Sequence, residues 1–384
     1  MNVPKLRFPE FHGEWSKKTL KEISSEITYG MNSASKTFDG INKYIRITDI
    51  DDESSRFKTD NLVSPSNKLD NNFLVKENDI LFARTGASTG KTYLYNSEDG
   101  KLYYAGFLIK ANIIKHNAYF IFQQTKLEKY KKWVKLTSVR SGQPGINSKE
   151  YGKYSFSTTV LREENKIGLF FSLLDKKIEL QSKKVEALKL FKSGIKNKIM
   201  NINCNPVLLG SIIKKWNLKN KKNTIKYIES ISNKYGFISQ KEQFDERKIA
   251  SADLSNYYII KKNVFAYNPS RLDVGSLALK KDSHISVISP LYVCFTTKEN
   301  NEYLLEWFNS KYFKREIYSK FEGGVRNTLN FNSLSSAKIK IPNLNEQNKI
   351  ANFLKEFNKK IDIESDKLDK LNKLKKGLMQ NMFV

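Results

Sequence analysis

This 384-residue chain contains a direct internal repeat. The segment that begins at Leu161 matches the segment that begins at Leu344 without gaps, at a constant offset of 183 positions. Identical residues stand at Glu163/Glu346, Asn165/Asn348, Lys166/Lys349, Ile167/Ile350, Phe170/Phe353, Lys176/Lys359, Lys177/Lys360, Ile178/Ile361, Ser182/Ser365, Lys184/Lys367, Leu188/Leu371, Lys192/Lys375 and Gly194/Gly377. A gap-free match of this length indicates a duplication, so we predict two copies of one structural unit.

Within each copy, one set of residues recurs at alternating steps of three and four, which is the spacing of a helical seam. The first seam reads Phe171, Leu174, Ile178, Gln181, Val185, Leu188, Lys192, Ile195 and Ile199, and the second reads Leu354, Phe357, Ile361, Glu364, Leu368, Leu371, Lys375, Leu378 and Met382. Polar residues interrupt both seams at the same two places, where they can fix the register of a pair.

The spacing therefore predicts two helices of about 40 residues, each roughly 60 Å long at 1.5 Å per residue. The alternative is two separate surface helices, each packed on its own domain. A surface helix needs a wider apolar face than these narrow stripes. We therefore favour a coiled coil formed by the two helices.

A globular segment precedes each long helix. Alternating apolar residues predict strands at 44–48 and 285–288, and amphipathic spacing predicts helices at 119–136 and 302–321. We therefore predict an α+β fold with two globular domains. The expected boundaries are a first domain at 1–160, a first spacer helix at 161–203, a second domain at 204–343 and a second spacer helix at 344–384, with a hinge near 201–206 where Pro206 prevents the helix from continuing.

Two further segments are weakly similar between the halves. Residues 78–84 align with 262–268, and the glycine-containing loop 140–147 stands where 322–330 stands in the second half. This similarity extends the duplication to the globular domains.

The charge of the chain indicates a polyanionic partner. Lys and Arg number 67 against 40 Asp and Glu, which gives a net charge of +27 and a pI near 9.7, and such an imbalance is typical of proteins that bind DNA or RNA. The alternative explanation for this excess of basic residues is a nucleotide bias in the genome that encodes the chain. No apolar run approaches the ~18–20 residues that cross a bilayer, and the first ten residues contain no secretory signal, so we expect a cytoplasmic protein.

The segment 86–92 resembles a phosphate-binding loop, but three residues separate its glycines where the motif needs four. A strand is predicted after it, whereas phosphate binding by such a loop needs a helix. We therefore expect its backbone N–H groups and Lys91 to approach a DNA phosphate rather than to hydrolyse a nucleotide.

Other catalytic motifs are incomplete. Tyr267, Asn268, Pro269 and Ser270 resemble the Asn-Pro-Pro-aromatic motif of amino-methyltransferases, but the second proline and the aromatic residue are absent. We predict no catalytic residue and no metal ligand in this chain.

Arginine suits bidentate contact with guanine, and of the ten arginines only Arg162 falls in a long helix. The candidate DNA-binding residues are Arg46, Arg84, Thr85, Ser88, Thr89, Lys91, Arg140, Ser141 and Gln143 in the first domain and Tyr267, Asn268, Ser270, Arg271 and Arg326 in the second.

Taken in order, these features resemble the DNA-specificity subunit of Type I restriction–modification systems. The resemblance lies in residues 4–9 with Glu14 and Trp15, in 79–86, in 141–147 and in the duplicated Glu-x-Asn-Lys-Ile start of each long helix. It spans nearly the whole chain.

The resemblance implies two target-recognition domains that read an asymmetric bipartite DNA site from the major groove, separated by two antiparallel helices under a pseudo-two-fold axis. It also implies two methyltransferase subunits that use S-adenosylmethionine and motor–nuclease subunits that use ATP and Mg²⁺, with no cofactor on this non-catalytic chain. We expect Phe8, Phe11 and Trp15 to form a docking surface for such partners. The rival hypotheses are a stand-alone two-domain DNA-binding regulator and a nucleotide hydrolase built on the loop at 86–92.

Overall fold

The computed structural model describes residues 2–139, 142–201, 204–233, 235–240, 253–272, 275–318, 320 and 328–384. The chain divides into two compact units. The first unit comprises Met1–Ser182 with Asp366–Val384, and the second comprises Lys183–Ser365.

Two helices of equal length account for the repeat. Helix α5 spans Leu161–Ile199 and helix α9 spans Leu344–Met382, each with 39 residues. Their starts lie at the offset that the repeat has in the sequence. All seam positions in both helices are buried or half-buried, which confirms the predicted helices and the residues that face inward.

The first unit contains strands, short helices and the first part of α5. Its strands are β1 Ser16–Thr19, β2 Ser24–Tyr29, β3 Ser35–Thr37, β4 Lys43–Ile45, β5 Val63–Pro65, β6 Asp79–Ala83, β7 Thr92–Leu94, β8 Leu102–Tyr104, β9 Leu108–Ile113 and β10 Ser155–Thr158. Its short helices are α1 Leu20–Ile23, α2 Ala118–Gln124, α3 Glu128–Thr137 and α4 Ser148–Lys153. The main antiparallel sheet has the order β2-β9-β6-β7, β1 pairs with β10, β3 pairs with β5, and β4 pairs with β8 in parallel.

The second unit repeats this plan. Its strands are β11 Pro206–Leu208, β12 Ile213–Lys215, β13 Ile228–Ser232, β14 Gly236–Ser239, β15 Tyr258–Ile260, β16 Phe265–Tyr267, β17 Leu277–Leu279, β18 Ser286–Ile288, β19 Val293–Thr297 and β20 Lys338–Lys340. Its short helices are α6 Asn301–Phe308, α7 Lys311–Tyr318 and α8 Phe331–Ser335. The sheet order β12-β19-β16-β17 corresponds strand for strand to that of the first unit, and β11 pairs with β20 as β1 does with β10. The duplication therefore includes the globular parts.

The long helices pair antiparallel in each unit. In the first unit, Phe171 contacts Phe383 with ring centroids 5.5 Å apart, and Asp175 forms an ion pair with Lys375 at 2.7 Å. In the second unit, Lys184 pairs with Glu364 at 3.1 Å, and the rings of Phe191 and Phe357 lie 5.7 Å apart. In both units, the residue number of the contacting partner falls as the residue number along α5 rises, which is the pattern of an antiparallel pair.

In each unit, the residue that precedes a short helix, α2 or α6, is joined to a long helix by the same hydrogen bonds. The Asn117 backbone N–H donates to Glu164 at 3.0 Å and the Asn117 side-chain amide to Asn165 at 2.9 Å. In the second unit, Asn300 donates in the same way to Gln347 at 3.0 Å and to Asn348 at 2.7 Å. The domains are therefore joined to the helices by a repeated, directional contact.

The equivalent seam lysines Lys375 and Lys192 both form ion pairs, but the carboxylate that they contact lies on a long helix in the first unit and on a short helix in the second. In the first unit, Asp175 on α5 accepts from Gln123 at 2.9 Å and pairs with Lys375. In the second, the position equivalent to Asp175 is Asn358, and the carboxylate is Glu306 on α6, which pairs with Lys192 and Lys196 at 3.3 Å. Burial raises the pKa of Glu306, but the two ammonium groups outweigh that effect and lower it overall.

The predicted short helices are interrupted. The helix expected at 119–136 is two helices, α2 and α3, because the Thr125 hydroxyl donates to the Phe122 carbonyl at 2.7 Å in the break between them. The helix expected at 302–321 likewise ends at Phe308, where the Asn309 amide donates to the Leu305 carbonyl, and restarts after Ser310. The strand expected at 44–48 ends at Ile45, because the Asp49 carboxylate accepts from the Arg46 backbone N–H and caps a short 3-10 helix.

One predicted correspondence between the halves is wrong by one residue. Asn78 and Asn263 both have positive φ, 68° and 71°, and each precedes the equivalent strand, β6 or β16. Phe82 is paired with Thr92 as Tyr267 is with Leu277. Arg84 therefore corresponds to Pro269 and not to Asn268. A shift of one residue in a strand exchanges its two faces, which matters for the site below.

Among the described residues, no helix has the length and apolar character that a membrane span requires.

Candidate nucleic-acid interface

Two of the predicted site segments of the first unit lie against each other. The Gly86 backbone N–H donates to the Pro144 carbonyl, and the Ile146 N–H donates to the Arg84 carbonyl, each at 2.9 Å. The Thr89 hydroxyl donates to the Gly86 carbonyl at 2.8 Å and also approaches the Pro144 carbonyl at 3.3 Å. The structure therefore brings Arg84, Thr85, Ser88, Thr89 and Gln143 onto one surface. Arg140 and Ser141 lie outside the described residues.

The loop that carries Lys91 depends on glycine. Gly90 has φ +89°, and a Cβ there would lie 2.5 Å from Val134 Cγ1, so this turn excludes a side chain. Strand β7 follows the loop, as predicted, where a nucleotide-binding loop would have a helix. The Lys91 ammonium forms an ion pair with Asp52 at 2.6 Å. Asp52 is 70% exposed, so a phosphate reaching Lys91 competes with a well-hydrated carboxylate.

The Arg84 guanidinium lies over an aromatic ring. It lies 4.8 Å from the centroid of Tyr29, and the Tyr29 hydroxyl accepts from the backbone N–H and the hydroxyl of Ser148, both at 3.1 Å. Burial raises the pKa of the Tyr29 hydroxyl, but the bonds from Ser148 and the charge of Arg84 outweigh it and lower that pKa overall. Tyr29 is therefore a fixed platform for the arginine.

Arg84 and Arg46 line one cleft of about 630 Å³, which also includes Tyr29, Thr48 and Phe107 and is called the Arg84 cleft below. A depression of about 310 Å³ shares Arg46 and Thr48 with it. Arg46 makes a bidentate pair with Asp49, with both distances 2.8 Å. The residues described as lining the Arg84 cleft include these two arginines and no carboxylate. Because Arg46 is already paired with Asp49, Arg84 is the cation that favours a negatively charged ligand in this cleft.

In the second unit, the predicted residues form a tight turn after β16. The Asn268 side chain accepts from the Ser270 N–H, and the Arg271 N–H donates to the Asn268 carbonyl, each at 3.0 Å. Ser270 and Arg271 are exposed. The Leu329 N–H donates to the Pro269 carbonyl at 3.1 Å, as Ile146 does to Arg84 in the first unit. Arg326 lies outside the described residues.

The prediction of Tyr267 as a DNA contact is wrong. Its side chain is fully buried, and its hydroxyl donates to the Leu329 carbonyl at 3.0 Å. Tyr267 corresponds to the core residue Phe82, because the true correspondence between the halves differs by one residue from the predicted one. Its hydroxyl also has a raised pKa because of burial.

The prediction of Trp15 as a docking residue is also wrong. Trp15 is 2% exposed and packs against Phe120 and Phe383, with ring centroids 5.4 and 6.3 Å away. Phe8 and Phe11 are half-buried, and Phe8 packs on Phe170 of α5. Arg7 adds a bidentate pair with the buried carboxylate of Glu163, at 2.7 Å. The first residues therefore hold the start of α5 and the end of α9 in the first unit.

Sequence reasoning predicted only Arg46 and Arg84 of the Arg84 cleft and missed its aromatic residues Tyr29 and Phe107. Phe107 is 60% exposed in the turn between β8 and β9. The only signal was a glycine–aromatic pair between two apolar runs, which predicts a turn but not a binding surface. Tyr29 ends a strand whose alternation is weak, so nothing in the sequence placed its ring beneath Arg84.

A family model described as "Type I restriction modification DNA specificity domain" matches the chain twice, at residues 12–190 and 199–373. The chain belongs to this family. The two matches account for the two units and for their shared sheet order, and they confirm the resemblance that the sequence indicated. The predicted α+β fold with two long helices is confirmed as well.

Known members are similar over almost their full length. The Type I restriction enzyme MjaVIII specificity subunit of Methanocaldococcus jannaschii is 23% identical over 362 residues, which covers 85% of this chain and 83% of that one. The crystal structure of a Type I restriction–modification S subunit from M. genitalium matches with a TM-score of 0.63 at 12% identity, covering 100% of this chain and 99% of that one. A chain from a study of complex assembly in the type I R-M system matches with a TM-score of 0.54 at 12% identity, over 96% and 97%.

Proposed function

We propose that this specificity subunit binds double-stranded DNA through both units and reads an asymmetric bipartite site from the major groove. The observation that carries the proposal is that the units share one scaffold but differ at the loop facing the candidate surface. Arg84 and Thr85 in the first unit are replaced by Pro269 and Ser270 in the second. Two readers of one design with different side chains select different half-sites.

The surface charge supports a DNA partner. The chain has a net charge of +27, and the Arg84 cleft joins two arginines on an exposed face. Phosphate contacts by such groups position a protein on the duplex, and base contacts then select the sequence. The long helices set the distance between the half-sites in this proposal, because each is 39 residues long, which corresponds to roughly 60 Å.

Selection from randomised duplexes tests this proposal. The full-length chain is incubated with a random double-stranded library, and the retained duplexes are sequenced. We expect two unlike half-sites separated by a spacer of constant length and variable sequence. A palindrome, a single uninterrupted site or no enrichment contradicts the proposal, and the first two outcomes favour a stand-alone DNA-binding regulator.

We further propose that two methyltransferase subunits and the motor–nuclease subunits dock on this chain in the cytoplasm and supply all of the chemistry. The chain itself then binds no S-adenosylmethionine, ATP or Mg²⁺. In the described part of the chain, no group of three or more His, Cys, Asp or Glu side chains is placed to hold a metal ion. The test is methyl transfer from S-adenosylmethionine to the selected duplex, which should require both this chain and the methyltransferase subunits. ATP hydrolysis by this chain alone that is lost in Lys91→Ala would overturn the non-catalytic role.

A further inference from the structure

The Arg84 cleft presents a cation and an aromatic side chain next to each other. The Arg84 backbone N–H donates to the Phe107 carbonyl at 3.0 Å, which extends the pairing of Ala83 with Leu108 between β6 and β9 by one residue. The two residues are therefore held in register by the main sheet and do not depend on a mobile side chain for their spacing. Both side chains line the cleft.

Arg84 differs from three other arginines of the first unit in what its guanidinium contacts. Arg7 pairs with Glu163, Arg46 with Asp49 and Arg56 with Glu179. Among the described residues, Arg84 has no carboxylate partner, and its guanidinium carbon lies over the Tyr29 ring. This cation–π contact restrains the guanidinium without using its N–H donors, which leaves them available for bidentate recognition.

Phe107 is an exposed aromatic residue on a fixed turn. Its ring is 60% exposed, although an isolated aromatic ring gains stability when it is covered. The Gly106 N–H donates to the Met31 carbonyl and the Leu108 N–H to the Ala105 carbonyl, each at 2.8 Å. The turn is therefore anchored on both sides of the ring, and the fold itself presents Phe107 to a partner.

We infer that Arg84 and Phe107 are the base-reading pair of the first unit, an inference that rests on the DNA-binding function proposed above. Arg84 donates two hydrogen bonds to O6 and N7 of a guanine, and Phe107 contacts the 5-methyl group of a neighbouring thymine. These are the pairings that arginine and apolar side chains make in the major groove. Tyr29 is a positioning residue, because it acts through Arg84.

The test repeats the library selection with Arg84→Ala, Arg84→Lys and Phe107→Ala in the full-length chain. Two matched controls change the same residue class elsewhere. Arg162→Ala removes the same charge at an exposed position of α5, and Leu136→Ala removes an apolar side chain that is 78% exposed on α3. Thermal unfolding shows that each variant is folded, and the lysine variant serves if the alanine variant is not.

We expect the wild-type motif to contain a guanine next to a thymine in one half-site. Arg84→Ala should lose the guanine preference at that position with a roughly 5- to 150-fold loss of affinity, as expected for one bidentate pair. Arg84→Lys should also lose the preference, because lysine cannot make the same fork. Phe107→Ala should lose only the thymine preference, and both controls should select the wild-type motif.

Three outcomes decide the matter. If Arg84→Ala weakens all sequences alike, Arg84 contacts a phosphate and the inference is wrong. If Arg84→Ala and Phe107→Ala select the unaltered motif with unaltered affinity, the pair does not read bases, although the proposed function stands. If the wild-type chain selects no motif at all, the proposed function itself fails.

Discussion

At the scale of single residues, Lys126 is the most unusual ionisable group of the first unit. Its ammonium donates to the hydroxyls of Ser55 and Thr92 and lies 4.1 Å from the centre of the Phe122 ring. The pKa of Lys126 is lowered to about 7, mainly by burial and also by the charges of Lys375 and Lys131, while the charge of Asp175 opposes these effects.

This pKa predicts a pH-dependent stability. Unfolded lysine stays protonated up to about pH 10.4, so between about pH 7 and that value the unfolded chain binds more protons than the folded one. The free energy of unfolding therefore gains a contribution as pH rises through this window. Lys126→Met should reduce the rise between about pH 7 and about pH 9 by at least ~1 kcal/mol in urea unfolding.

Lys135→Met is the matched control, because Lys135 is exposed on α3 and is not among the groups whose charge shifts the pKa of Lys126. It should keep the wild-type slope. An unchanged slope in Lys126→Met would show that its ammonium is hydrated in the folded state.

Trp15 and Phe11 allow a direct test of the corrected role of the first residues. Trp15→Ala should lower the free energy of unfolding by about 3–5 kcal/mol, because it empties a buried aromatic cluster. Phe11→Ala, at a half-buried position, should cost less than half of that. Chemical denaturation of both variants measures the difference. If the Trp15→Ala variant were as stable as wild type, Trp15 would not be a buried core residue.

At the scale of secondary-structure elements, the sequence was informative where a period extends over many residues. The seam of each long helix extends over many residues, from Phe171 to Ile199 and from Leu354 to Met382, so its buried positions could be predicted. The end of the first helix was less well defined, because the predicted bound of 203 lies beyond the observed end at Ile199. A strand of three to five residues carries too little pattern to fix its register. The alignment of 78–84 with the second half is therefore displaced by one residue, and the burial of Tyr267 at the end of β16 could not be predicted.

The contact between domain and long helix differs chemically between the units, because its carboxylate is Asp175 on α5 in the first unit and Glu306 on α6 in the second. Asp175→Asn should leave Lys375 without its carboxylate and cost about 1–3 kcal/mol. The double variant Gln123→Glu/Asp175→Asn copies the arrangement of the second unit and should recover most of that loss. A double-mutant cycle by chemical denaturation measures the coupling.

The equivalent substitutions in the second unit are the control. Glu306→Gln should destabilise the second unit, and Glu306→Gln/Asn358→Asp should restore it. Strictly additive effects in both units would show that the seam lysines do not depend on these carboxylates.

At the scale of the whole molecule, the duplication and the two-domain organisation could be predicted because a gap-free repeat is visible in the sequence itself. The cleft could not, because it forms where Tyr29, Arg46, Arg84 and Phe107 meet from separate strands and turns. Such convergence depends on sheet order and register, which local spacing does not encode.

In the proposed function, the helix pair sets the interval between two unlike readers. Deleting residues 182–188 together with 360–366 removes one heptad from each helix and both members of the Lys184–Glu364 ion pair. It retains Asp175, Lys375, Lys192 and Glu306, which fix the domains to the helices. The heptad register on either side is preserved.

Library selection with this deletion variant, confirmed as folded by circular dichroism, is the most direct measurement. Each helix shortens by ~10 Å at 1.5 Å per residue, which is about three base pairs at ~3.4 Å each. We expect the same two half-sites with a spacer shorter by about that number. A folded variant that selects the original spacer would contradict it.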